Sequence, residues 1–179
     1  MNQSMRLAFC SMVTAVSVVV LFLTGVIPIG KYALPALAGL LLIAVVVELG
    51  FRWAWSVYAA VSLLSALLAA DKEAVLCYVL ILGCYPIIKA AIEKRTKKAV
   101  GFLLKFAFFN AAAILEFYIA VLLLNVPRDS FEVFGVNAPW LFLLAGNVVF
   151  AIYDYAASLL VTGYYRKFHA AVNKWLHIQ

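Results

Sequence analysis

The chain has 179 residues, 68% of them hydrophobic and only 12% charged, and its mean hydropathy is +1.07. A soluble globular domain is about half apolar, so the composition excludes one and indicates an integral membrane protein. The net charge of +6 reads as topology rather than nucleic-acid binding, because the basic residues gather at the ends of apolar runs.

Six apolar segments run over 7–24, 32–49, 53–70, 74–92, 100–124 and 139–163. Each is about the length that crosses a bilayer as a helix. The expectation is an all-α integral membrane protein, a single domain over 1–179 with six transmembrane helices and an amphipathic tail over 164–179. Arg6 before the first run resembles a secretion signal. The run continues to Leu23 without a small-x-small cleavage site, so it reads as a retained span. Ala8, Ser11 and Ala15 recur at i, i+3 and i+7, which gives that span a small-residue face for close helix approach. Gly25 to Lys31 fits the first seven positions of a phosphate-binding loop. The eighth is Tyr32 where magnesium needs Ser or Thr, and the stretch joins two apolar segments, so nucleotide binding is rejected.

Ala36, Ala38 and Gly39 give the second span a small face. Glu48 closes that span four residues before Arg52, the spacing of an i,i+4 pair. Asp71-Lys72-Glu73 marks a tight turn. Pro86 in the fourth span is expected to kink it and free backbone carbonyls. Cys10, Cys77 and Cys84 lie in apolar runs and read as small buried thiols. Span 5 carries Lys105, Asn110, Glu116 and Tyr118, with Lys105 near its inner end and able to snorkel. The longest connection, Asn125 to Pro139, mixes turn formers with Phe131 and Phe134 and is expected on the membrane surface. Span 6 holds Asn147, Asp154 and Ser158, at spacings of seven and four that share one helix face.

With the N-terminus inside, Arg6, Arg52, Lys89, Lys94, Arg95, Lys97, Lys98, Lys105, Arg166, Lys167 and Lys174 fall on the cytoplasmic side. Lys31, Lys72 and Arg128 fall outside. That bias places both termini in the cytoplasm. It also puts Glu116 and Asn147 at comparable depth in the outer half, where they either line a pocket open to the outside or pair helix to helix. Asp154 lies deeper and is expected to have a structural or gating role, as are Asn110 and Glu48. The chain has two histidines, His169 and His177, both in the tail, so no catalytic base or metal ligand is expected within a span. No catalytic residue, metal or cofactor is assigned.

Six spans in this length, both ends inside, and the small-residue stripe in RLAFCSMVTAVSVVVLFL resemble the substrate-binding (S) component of energy-coupling factor (ECF) vitamin transporters. In that family an Ala-x-x-x-Ala pattern on the first helix docks onto the coupling subunit; here Ser11 and Ala15 take those places, with Ser for the first Ala. The resemblance implies a small vitamin-like ligand captured from outside by Glu116, Asn147, Trp140, Tyr78, Phe117 and Lys31. It implies the connection around Pro28–Tyr32 as a lid, and uptake driven by a separate transmembrane coupling subunit and ATPase subunits. The alternative of similar size and span count is the cell-shape scaffold MreD.

Overall fold

The computed structural model describes residues 3–27, 30–123, 132–133, 136–137 and 139–167. They are helical apart from short turns and a two-residue antiparallel ribbon, in which Glu132 faces Asn137 and Val133 faces Val136. Helix α1 is Gln3–Phe22, extended by a 3-10 turn over Leu23–Gly25. It is followed by α2, Ala33–Leu49, and α3, Phe51–Leu68. The fourth apolar segment is broken into α4, Lys72–Cys77, a π-turn over Tyr78–Leu82, and α5, Tyr85–Arg95. Helices α6, Lys98–Leu123, and α7, Pro139–Lys167, complete the described chain. Five helical stretches are long and apolar enough to cross a membrane; α2 is apolar but shorter, at 17 residues. The tail beyond Lys167, most of the expected surface connection, and Pro28 of the expected lid lie outside the described residues.

Local chemistry sets the boundaries. Gly50, at φ +81°, reverses the chain between α2 and α3 in a single residue, a conformation that favours glycine. Asp71 caps α4: its carboxylate accepts from the Glu73 and Ala74 amides, both at 3.1 Å, a cap worth about 1 kcal/mol. Pro86 has no amide hydrogen, so the Leu82 carbonyl four residues earlier loses its helical donor. The Tyr153 hydroxyl of α7 donates to that carbonyl at 3.1 Å. In the π-turn the Val79 carbonyl accepts from the Tyr58 hydroxyl at 2.6 Å. The break expected at Pro86 is therefore present, and tyrosines from neighbouring helices satisfy its backbone.

Helix α2 is the centre of the bundle and packs on α1, α3, the π-turn, α5 and α7. Gly39 permits its closest approach. A Cβ there would stand 2.3 Å from the Leu82 carbonyl oxygen and 2.7 Å from the Tyr153 hydroxyl. One apolar cluster, including Leu21, Leu42, Val57 and Tyr78, joins α1–α3 to the fourth segment. A second, including Tyr85, Phe109, Phe150 and Tyr153, joins that segment to α6 and α7. Leu67, Leu103, Leu122 and Ile152 are exposed on the outside, an apolar surface suited to lipid rather than water.

Candidate functional site: two polar clusters in an apolar bundle

The first cluster centres on Asp154 of α7. Its carboxylate accepts from the Tyr85 hydroxyl at 2.5 Å, pairs with the Lys89 ammonium, and accepts from Lys105 at 3.3 and 3.4 Å. Lys89 also reaches Ser158 at 2.8 Å and Glu93 at 3.0 Å, and Lys105 reaches Glu93 at 2.5 Å. Two lysines thus each bridge the same two carboxylates. The result is a ring without net charge that fastens α5, α6 and α7 together. Charges within a bilayer are expected to be paired in this way.

This corrects the expected places of two lysines. Lys105 does not snorkel, and Lys89 is not an interfacial residue; they are only 7% and 3% exposed. Two carboxylates within reach hold each ammonium inside the bundle. Arg52, Lys94, Arg95, Lys97 and Lys98, assigned to the same end, are exposed. The one hint in the sequence was the i,i+4 spacing of Lys89 and Glu93, joined to an intramembrane Asp that needed a partner.

Asn147 is placed differently from expectation. It exchanges a reciprocal pair of amide hydrogen bonds with Asn110, both at 2.9 Å. Each amide also donates to the carbonyl four residues back in its own helix, at 2.8 Å. Asn110 precedes Glu116 by six residues on α6, about 9 Å along the axis, so Asn147 and Glu116 are not level.

The second cluster lies at the opposite end of the bundle. Lys31, in the connection between α1 and α2, forms an ion pair with Glu73 of α4. That hydrogen bond raises the Lys31 ammonium above the ordinary lysine pKa. Glu116 lies near enough to Cys77 and Glu73 to interact with both, and Tyr32 lies near Glu73, Cys77 and Glu116. A cavity of about 340 Å³ beside it is lined by Thr24, Gly25, Lys31, Ala70 and Asp71.

Comparison with protein-family models, curated proteins and solved structures gives no match.

Of the six residues expected to hold a ligand, Lys31 pairs with Glu73, and Glu116 lies near that same carboxylate. Tyr78 is fully buried and stacks on Tyr58 at 6.2 Å, which makes it core rather than pocket wall. Trp140 is 66% exposed and faces away from the bundle, as an interfacial tryptophan does. Phe117 follows Glu116 on α6 and turns edge-on to Tyr118 at 5.8 Å. Glu48 lies close enough to Tyr164 of α7 to interact, a contact between helices that the spacing to Arg52 does not reveal. Ala8, Ser11 and Ala15 are exposed on α1, away from the buried Cys10, Ser17 and Leu21. Among the described residues no group of three or more His, Cys, Asp or Glu is placed to hold a metal ion.

Proposed function

We propose that the protein is a six-span cell-membrane subunit, with both termini in the cytoplasm, that captures a small vitamin-like ligand from outside. It would deliver that ligand to a transmembrane coupling subunit driven by separate ATPases, in the manner of an ECF S component. The observation that carries this reading is the gathering of Lys31, Glu73, Glu116 and Tyr32 from the first connection, α4 and α6 at one end of the bundle. A ligand with a polar head would compete with Glu73 for Lys31 and would meet Glu116 beneath it, so the first connection would act as a lid latched by an exchangeable ion pair. The exposed small-residue face of α1 supports docking to a partner helix. In this orientation the surplus of basic residues at the charge-ring end faces the cytoplasm.

A scan of thermal unfolding against water-soluble vitamins tests this. One compound should stabilise the protein, by about 2.7 kcal/mol at a hundredfold excess over its Kd, and Glu116→Ala should abolish the shift. A panel without any stabilising member, or a shift that survives in Glu116→Ala, counts against the assignment. The second reading, an MreD-like scaffold, draws on the pairing of Asn147 with Asn110, which commits an expected ligand group to holding helices together. Copurification with a cell-wall elongation complex, without a small molecule, would favour it.

A further inference from the structure

A cleft of about 400 Å³ opens beside the charge ring, between the C-terminal part of α2 and the helices α5 and α7. One wall is apolar, with Ile43, Val46 and Val47 of α2 and Val161 of α7. The other carries Lys89, Glu93 and Lys94. Glu93 and Asp154 are both held by Lys89 and Lys105, so the acids of the ring are already matched. Glu48 lies against Tyr164. Lys94, Arg95, Lys97 and Lys98 are exposed and make no ion pair among the described residues. Of these, Lys94 lines the apolar trough and leaves an unmatched positive charge on its wall.

We propose that this cleft binds one anionic phospholipid, its phosphate against Lys94 and an acyl chain along Ile43, Val46, Val47 and Val161. Basic pockets between membrane helices recognise lipid head groups in this way. The apolar wall favours a lipid over a soluble anion, since a free phosphate would gain nothing from the valines. The unmatched Lys94 ammonium favours an anionic over a zwitterionic head group. Only the leaflet that supplies the lipid, the cytoplasmic one, rests on the orientation proposed above.

Native mass spectrometry of the full chain in detergent, titrated with dioleoyl phosphatidylglycerol or dioleoyl phosphatidylcholine, tests the site. The expected result is a single phosphatidylglycerol adduct, bound about fivefold more tightly than phosphatidylcholine. Lys94→Gln should weaken that adduct about fivefold, and Val46→Trp, which fills the trough, should remove it. Lys94 is exposed and outside the ring, so this variant decides the matter even if Val46→Trp does not fold. Equal binding of the two lipids, or unchanged phosphatidylglycerol binding in Lys94→Gln, would overturn the proposal. Displacement of the lipid by glycerol 3-phosphate alone would assign the cleft to a soluble anion and overturn it equally. Glu116→Ala, which tests ligand capture at the other end, should leave this titration unchanged, so failure of one assignment is distinguishable from failure of the other.

Discussion

Replacing Asp154 by Ala opens the charge ring, and the structure sets the scale of the loss. Two ammonium groups and two carboxylates balance in the native protein. Without Asp154, Lys89 and Lys105 share Glu93, and one positive charge is left unmatched on side chains only 4% and 8% exposed. The Tyr85 hydroxyl loses its acceptor as well. Breaking a buried pair by removing one partner costs about 3–5 kcal/mol in soluble proteins, whereas ordinary polar contacts between membrane helices average about 0.6 kcal/mol. Because the loss is of charge and not of a single hydrogen bond, the expected cost is about 3 kcal/mol. Reversible unfolding in mixed micelles containing dodecyl sulfate, followed by tryptophan fluorescence, measures it. Lys89→Met should cost a similar amount by leaving a carboxylate in excess. The double variant Asp154→Ala/Lys89→Met restores neutrality around Lys105 and Glu93, so it should be more stable than the sum of the singles predicts by about 2 kcal/mol. A cost below about 0.5 kcal/mol for Asp154→Ala, or additivity within about 0.5 kcal/mol, would refute the ring as a coupled unit.

Three further outcomes follow from the geometry. Gly39→Ala should destabilise by about 1–3 kcal/mol, because its Cβ meets a backbone carbonyl that cannot swing aside; a neutral result in the same unfolding assay would place α2 farther from the Pro86 break. The raised pKa of Lys31 makes its pair with Glu73 fully present below the unfolded lysine value of about 10.4, and lost as pH rises through the higher folded value. A spin label in the first connection should therefore keep its mobility from neutral pH into the mildly alkaline range and loosen only above it. Lys31→Met should abolish that step at a cost of about 0.2–1 kcal/mol, and loosening near neutral pH would contradict the latch. Ser11→Trp or Ala15→Trp should eliminate copurification with a coupling subunit while sparing ligand binding, and an intact complex in both variants would exclude α1 as the dock.

Helix positions were legible in the sequence because lipid imposes a length on every apolar run. The shared face of Asp154 and Ser158 was legible because spacing within one helix fixes it, and both do meet Lys89. Register between helices was not legible. Equal depth for Glu116 and Asn147 assumed that the outer ends of α6 and α7 stand level. Leu123 ends α6 thirteen residues after Asn110, while Pro139 starts α7 only eight before Asn147. The two ends are thus offset by about five residues, or about 7 Å. The inward turn of Lys89 and Lys105 was equally hidden, since a lysine near a span end is compatible with interfacial water or with a buried acid, and only packing decides between them. The resemblance implies Tyr78 as a ligand contact, yet in the π-turn it is buried in the core against Tyr58.

The most direct test of the central claim is the small-molecule mass spectrum of the protein purified from its native membrane. One stoichiometric vitamin-like ligand is expected, retained in Ser11→Trp and lost in Glu116→Ala. A preparation free of any small molecule, or a ligand retained equally in Glu116→Ala, would contradict it.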